Sequence, residues 1–441
     1  MLDLKFIREN INMVRVAVGN RQDSAPLDEI LELDAARRAK VQKLDNLRQE
    51  RNLLSKRGGS KEDSSSAQPT IIKQEEGQLP IIDFEKYYPP QEQGRRLRVQ
   101  IQEIEDEVRN LDTALEDLLL QVPNLPHPSV PVGKDENDNV QIRSWGEVPK
   151  FDFEPLPHWQ LGESLGIIDF ERGVKISGSR FYLLKGLGAR LQRALIAFML
   201  DLHTSEHGYL EVYPPYMVKR DTMTASGNLP KFVDNLYHDE EDDLWFVPTA
   251  EVPVTSLYRD EIILPGVLPI RYVAYTACFR REKMSAGKDT RGLKRGHQFD
   301  KVEMYKFVEP ETSDQELENL QADAEDVCRR LGLPYRVLEL CTGEIGFQSA
   351  RTYDIEMWAS GCAEWLEVSS CSTCGDFQGR RANIRYRPTP DARPHFVHTL
   401  NGSGLALPRV MIAIMENYQQ VDGTIRVPDV LRDFVGTDVI R

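Results

Sequence analysis

An apolar seam constrains this chain more than any other feature. Leu97, Ile101, Ile104, Val108, Leu111, Leu115, Leu118 and Val122 recur in alternating steps of four and three. A helix carrying such a heptad stripe buries it against another helix. Upstream, Ile30, Leu33, Val41, Leu44, Leu47 and Leu54 trace a looser version interrupted by Arg37 and Arg51. Joined by a tip, the two helices pair antiparallel. At ~30 residues each they rise about 45 Å, which predicts an arm reaching beyond a globular body. The competing arrangement is a helical bundle folded back onto the main domain.

Between the two helices, residues 58–92 break the pattern. KRGGSKEDSSSAQPT has linker composition, and PIIDFEKYYPP holds apolar residues between prolines. This stretch reads as a small folded tip or a flexible insertion. The arm ends at QVPNLPHPSVPVG, where four prolines forbid helix continuation. The expected domains are therefore 1–122, the helical arm, and 123–441, a second domain.

The second domain mixes helices with short β-rich runs. Leu187, Leu191, Leu195, Phe198 and Leu202 mark an amphipathic helix that stops near Gly208. YLEVYPP, FVPTAEVPV, YVAYTACFR, FDKVEMYKFV and CAEWLEVSS read as strands. With few βαβ alternations, the expected class is α+β with a mainly antiparallel sheet. Neither G-x-G-x-x-G nor G-x-x-x-x-G-K-[ST] is present, which excludes the Rossmann and P-loop readings.

No apolar run approaches the roughly 18 residues of a membrane span. The opening MLDLKFIREN lacks the apolar core of a signal peptide, so a cytoplasmic protein is expected. The net charge of −15 disfavours a nucleic-acid partner unless the cations are concentrated locally. They are concentrated in the first arm helix, at Arg37, Arg38, Lys40, Lys43, Arg48, Arg51, Lys56 and Arg57.

Three stretches carry candidate chemistry. In TACFRREKMSAGKDTRGLKRGHQFDKVEMYKFV, two strand-like runs flank a loop holding Gly287, Gly292 and Gly296 and the cations Lys283, Lys288, Arg291, Lys294 and Arg295. Arg280 at the strand end suits a phosphate and a carboxylate together, and Phe299 offers a flat face for a base. On composition alone, a solvated basic hairpin fits this stretch equally well. In EWLEVSSCSTCGDFQGRR, Glu364 and Glu367 alternate with apolar residues before Ser369 and Ser370, hard oxygen donors of the kind Mg²⁺ takes. Ordinary strand surface is the bland alternative. In HTLNGSGLALPRVMIAIMENYQ, a glycine turn leads into a helix near Pro408, with Arg409 in its first turn. The helix dipole disfavours a cation there, which invites an anionic ligand, although a plain loop-to-helix junction has the same residues. These parts suit activation of a carboxylic acid by ATP, because the acid is its own nucleophile and the protein need only position groups and stabilise charge.

Together the three stretches resemble the signature motifs of class II aminoacyl-tRNA synthetases, and the full strings are similar to the seryl family. Helix 185–207 with YLEVYPPYMV resembles motif 1, which in the family forms the dimer interface. FRREK through HQFDKVE resembles motif 2, NGSGLALPR motif 3, and PTAEVP the serine-binding T-x-E loop. MLDLKFIREN and the paired helices resemble the family's N-terminal arm, although the family's tip is a shorter turn than 58–92.

The resemblance implies a class II sheet flanked by helices with a coiled-coil arm, a homodimer, and substrates L-serine, ATP and tRNA-Ser. Charging of a selenocysteine tRNA is implied where one exists. Residue by residue, it implies that Thr249 and Glu251, with Ala250 between them, hold the serine amino group. Glu303 and Ser403 receive the hydroxyl. Arg280 bridges the serine carboxylate and the α-phosphate, with Arg281 and Glu282 completing that ATP segment. Phe299 stacks on adenine, and Arg409 contacts the γ-phosphate side. Glu367 and Ser370 bind Mg²⁺ on the phosphates, flanking Val368 and Ser369. Arg37, Arg38, Lys40, Lys43, Arg48 and Arg51 are implied to face the tRNA. Alanine would leave Glu303 unpaired, for a discrimination of ~10⁴; threonine must be refused by shape.

Two other readings share these residues: an amino acid:carrier-protein ligase, which usually lacks the arm, and a non-catalytic paralogue, which should have lost Arg280, Glu367 or Arg409. Cys371 and Cys374, with Cys362 nearby, lack the second paired motif of a zinc site. His203 and His207 read as a solvated helix end, and Cys278 and Cys328 as buried small apolar residues.

Overall fold

The computed structural model describes residues 1–57, 90–283 and 291–441. Most of the expected tip over 58–92 lies outside them, as do Gly287 and Lys288 of the glycine-rich loop and the side chains of Lys56 and Arg57. The chain divides into two compact units, Met1–Ala25 with Leu120–Arg441, and Pro26–Leu119. The first 25 residues thus group with the larger unit, where an arm over 1–122 was expected.

The smaller unit is a helix pair, α1 (Leu27–Arg57) and α2 (Pro90–Leu119). Its direction follows from side-chain pairs: Arg37 meets Asp112, Lys40 meets Glu107 and Arg48 meets Glu105, so one helix ascends as the other descends. Leu44, Ile101 and Ile104 form a buried cluster with Leu47 and Val108 packed on it. Leu97 and Leu115 of the seam are also buried. Burying one such side chain contributes about 1.5–3 kcal/mol, against about 0–1 for an exposed ion pair, so the seam and not the charge ladder holds the helices together.

The larger unit is built on an eight-stranded sheet: β1 (Val140–Trp145), β2 (Leu210–Glu211), β3 (Ile270–Phe279), β4 (Gln298–Val308), β5 (Tyr335–Glu339), β6 (Arg351–Ala359), β7 (Glu364–Gly375) and β8 (His398–Ala406). The strand order is β1-β5-β6-β7-β8-β4-β3-β2. Every pairing is antiparallel except that of the short edge strand β2 with β3. Helices α3 (Gly186–Ser205), α4 (Ser313–Arg330) and α5 (Leu407–Asn417) contribute Leu191, Leu195, Met199, Leu317, Leu320, Val410 and Ile414 to the main core. The α+β class with a mainly antiparallel sheet is as expected.

Period-two alternation on β4 sorts its side chains between two environments. Val302, Met304 and Val308 enter the core under the helices, whereas Phe299 and Lys301 line a cavity. Three expectations are corrected. VPTAEVPV is not a strand: β-structure stops at Phe246, and Glu251 opens the short helix Glu251–Thr255. The glycines of NGSGLALPR do not make a turn, because β8 runs directly into α5. Gly404 is needed for close approach; a Cβ there would lie 2.6 Å from Nε2 of His203. His203 itself is fully buried rather than solvated, 2.9 Å from His207 and 3.2 Å from the Gly404 carbonyl. Burial depresses its pKa to about 3, so it is neutral. Cys278 and Cys328 are buried, as expected. Among the described residues no helix is long and apolar enough to cross a membrane.

Candidate active site

The cavity on the other face of β4 has a volume of about 490 Å³. Ten of the predicted residues line it: Thr249, Glu251, Arg280, Glu282, Phe299, Glu367, Val368, Ser370, Ser403 and Arg409. They arrive from five places, namely the Thr249–Glu251 turn, the end of β3, the start of β4, the middle of β7, and the β8–α5 junction. A sequence separation of 160 residues is closed by the sheet.

One group of side chains is acidic. Glu251 is buried and accepts a hydrogen bond from Nε2 of Gln378 at 2.6 Å. Burial, and then the charge of Glu303, push its pKa up to about 7. Glu303 pairs across the sheet with Ser403, so both side chains leave the same face. Glu303 does not line the cavity: it is buried, ion-paired with Lys301, and 3.5 Å from Nδ2 of Asn401. Lys301 and Asn401, the two residues it contacts, do line the cavity. Both were missed, although Lys301 lies on the same β4 face as Phe299 and Glu303 and strand alternation alone selects it.

The other group is cationic. Arg280 sits with its guanidinium 5.0 Å from the centre of the Phe299 ring and donates to the Pro248 carbonyl at 3.2 Å. Arg409 donates to the Glu367 backbone carbonyl at 2.7 Å and lies 3.1 Å from its carboxylate. Arg295 lies 3.5 Å from Glu282. Burial raises the Glu367 pKa, but Arg409, Arg280 and Arg295 outweigh it and hold the carboxyl below the usual range. Its neighbour Asp354 goes the other way, held well above the usual range by burial and by the Glu367 charge. Within the pair, charge thus favours the ionised form at Glu367 and disfavours it at Asp354. Ser370 hydrogen-bonds the Asp354 carboxyl, whose buried Oδ1 has no hydrogen-bond partner among the described residues.

Three further predicted residues sit outside the cavity lining. Ala250 is buried in an apolar cluster just before the short helix. Arg281 turns away, donating to the Leu236 carbonyl at 2.7 Å and stacking 4.4 Å from the Tyr237 ring centre. Ser369 donates to the Ser403 carbonyl at 2.6 Å and so ties β7 to β8.

In the helix pair, Arg37, Lys40 and Arg48 bridge to acids of α2, and Arg38 bridges to Asp34 at 3.0 Å. Lys43 is exposed and Arg51 half-buried.

Comparison with known proteins bears on this geometry. Residues 1–80 match the seryl-tRNA synthetase N-terminal domain, and residues 232–418 match the tRNA synthetase class II core domain (G, H, P, S and T). The serine–tRNA ligase of Dehalococcoides mccartyi is 60% identical over 441 residues, covering 100% of both chains. That of Thermomicrobium roseum is 59% identical over 99% of this chain and 94% of its own. Among solved structures, the seryl-tRNA synthetase of Pyrococcus horikoshii complexed with ATP superposes with a TM-score of 0.89 at 38% identity, covering 100% of this chain and 99% of that one. With full-length identity at this level and both domain families matched in order, the chain belongs to the serine–tRNA ligases, enzymes of the class II aminoacyl-tRNA synthetases.

Proposed function

We propose that the cavity is where this ligase activates serine with ATP, and that its two electrostatic groups divide the work. The acidic group takes the amino acid: Thr249 and Glu251, with Ala250 shaping the turn, receive the ammonium, and Glu303 and Ser403 the hydroxyl. The cationic group takes the nucleotide: Arg280 bridges the serine carboxylate and the α-phosphate, and Arg409 meets the γ-phosphate side. Phe299 stacks on adenine, Glu282 lies along the nucleotide, and Arg281, Val368 and Ser369 act by holding the backbone that does so. The carrying observation is that one cavity holds a buried acid poised near pH 7 beside a cluster of three arginines around an ionised glutamate.

The serine carboxylate attacks the α-phosphorus and pyrophosphate departs. A tRNA ribose hydroxyl then attacks the acyl carbon and releases AMP. In the first step negative charge grows on the phosphoryl oxygens, and in this reading Arg280 stabilises it. Serine is its own nucleophile there, so the site needs no general base.

Glu367 and Ser370 fit Mg²⁺. They are hard oxygen donors beside a buried carboxyl oxygen of Asp354 that has no hydrogen-bond partner among the described residues. When bound with ATP, the ion supplies neutralisation of the phosphate charge.

The helix pair is read as the tRNA-Ser arm, with Arg37, Arg38, Lys40, Lys43, Arg48 and Arg51 meeting phosphates. Exposed ion pairs are weak enough to exchange for phosphate contacts. Ile176, Leu210 and Tyr213 are 72%, 63% and 77% exposed at or near the first motif and its edge strand β2, a surface suited to a second copy of the chain. The working form is read as a homodimer acting in the cytoplasm, with tRNA-Sec a second substrate where the cell makes it.

The test is ATP–pyrophosphate exchange with serine, threonine, alanine and glycine, followed by charging of tRNA-Ser. Exchange with serine alone is expected. Exchange driven equally by another amino acid would overturn the assignment of Glu303 and Ser403.

A further inference from the structure

We propose that His158 and Glu416 are positioning residues that clamp the returning limb of the glycine-rich loop, residues 291–296, onto helix α5, so that Lys294 and Arg295 stand preformed in the cavity. This rests on the cavity being the ATP site.

Both side chains are completely buried. His158 opens a seven-residue helix, His158–Ser164, and Glu416 lies in the last turn of α5. Oε1 of Glu416 accepts the His158 backbone N–H at 2.9 Å, stands 2.8 Å from Nδ1 of the ring, and accepts the Cys362 thiol at 3.1 Å. Oε2 accepts the Cys362 backbone N–H at 2.9 Å. Burial raises the Glu416 pKa, yet these hydrogen bonds prevail and hold it below the usual range. Glu416 is therefore an acceptor only, so Nδ1 carries the ring proton. Nε2 is left bare, and it accepts the Leu293 backbone N–H at 3.0 Å.

That last bond reaches the cavity. Leu293, Lys294, Arg295 and Gly296 all line it. Gly292 has φ +75° and packs so closely that a Cβ would lie 2.0 Å from Nε2 of His158. The neighbouring Trp159 ring lies under the same limb, 4.8 Å from the Arg291 guanidinium and 5.9 Å from the Lys294 ammonium. Lys294 is also ion-paired with Glu364. A limb whose two cations line the cavity is thus tied through one imidazole to the helix that presents Arg409.

His158, Cys362 and Glu416 also converge closely enough to suggest a metal. The ring's other nitrogen argues against one. A metal on Nδ1 would move the proton to Nε2, setting it donor-to-donor against the Leu293 N–H. The hydrogen-bonded clamp satisfies every donor; the metal site does not.

Two substitutions separate the ring's two jobs. His158→Asn keeps a donor near Nδ1 for Glu416 but cannot reach Leu293. His158→Gln carries an acceptor out to the Nε2 position. Both should lower the melting temperature alike. In serine-dependent exchange, H158N should raise KM for ATP about tenfold with the serine KM within about twofold, while H158Q stays within about threefold of wild type for ATP. ATP affinity measured by calorimetry without serine should move in the same order. If the two variants match, or if ATP and serine constants move together, the clamp is refuted and His158 is only packing. Where H158N does not fold, Glu416→Gln should raise the ATP KM about threefold, and an unchanged KM overturns the proposal. Stoichiometric metal in the purified wild type, lost in Cys362→Ser, overturns it in favour of a metal site. Failure of the underlying reading is distinguishable, because wild type would then show no serine-dependent exchange at all.

Discussion

The helix pair and the cavity both concentrate cations, and the two regions use them oppositely. On the helices, Arg37, Lys40 and Arg48 meet acids of the facing helix at partly exposed positions. In the cavity, Arg280, Arg295 and Arg409 gather around the ionised Glu367, with Arg295 also 3.5 Å from Glu282, and Arg280 and Arg409 donate to backbone carbonyls. The first arrangement is nearly neutral and screened by solvent; the second keeps an excess of positive charge in a confined space, where it acts most strongly on an anion. A count of lysines and arginines along the chain cannot tell these apart, since the difference lies in what stands opposite each one.

The comparison breaks most visibly if a cavity arginine proves dispensable. Arg280→Ala should lower serine-dependent exchange by about 10²–10³, the cost of losing one preorganised charge contact. Its melting temperature should stay near wild type, because among the described residues the guanidinium makes one backbone hydrogen bond and one ring contact. Arg48→Ala on the helix pair should leave exchange unaltered. Equal effects at the two sites would dissolve the distinction.

The acidic side of the cavity gives a pH test. Glu251 titrates near 7, and its raised pKa means that it is protonated below that value and ionised above it. A serine ammonium is attracted only to the carboxylate. KM for serine should therefore rise as pH falls below about 7, approaching tenfold per unit, with KM for ATP much less affected. Glu251→Gln should show a high serine KM at every pH. A serine KM that is flat from pH 6 to 8 in the wild-type enzyme would remove Glu251 from the ammonium site.

For the helix pair, the sharper question concerns Lys43 and Arg51, for which no ion pair is present among the described residues. Replacing either with alanine should reduce kcat/KM for tRNA-Ser by roughly three- to tenfold, shrinking the salt dependence of charging by about one unit of slope per residue. Exchange without tRNA should not change. An arm whose cations only solvate it would leave charging untouched as well.

What could be read ahead of the structure follows the same division. The heptad seam specified the helix pair because a period of 3.5 has few other solutions. Strand alternation in HQFDKVEMYKFV separates Val302 and Met304 from Phe299, and the same rule places Lys301 with Phe299, although Lys301 was overlooked. The motif strings named ten cavity-lining residues, but the strings say nothing of depth: Glu303 proved to be buried against Lys301 outside the lining, and Arg281 to point at Tyr237. His158 and Glu416 were invisible, since a histidine 258 residues away from its carboxylate leaves no periodic or local trace. The glycines of NGSGLALPR looked like a turn because glycine commonly makes one. Here Gly404 serves the approach of His203, a partner 201 residues away.

The smallest expected effect concerns the ladder on the helix pair. Arg48 and Glu105 lie 2.8 Å apart, with side chains 46% and 32% exposed. A double-mutant cycle on this pair should return a coupling of about 0.2–1 kcal/mol in stability, falling as salt is added. The reason is the same one that lets the arm exchange an internal partner for a phosphate: at this exposure water competes for both charges, so holding two long side chains in register gains little. Replacement of Leu44 by alanine in the same helix should cost about 2–5 kcal/mol, because its contacts with Ile101 and Ile104 have no substitute in solvent. If the ion pair instead proved as strong as the leucine, the arm's cations would be structural, and their reading as a tRNA surface would fail with them.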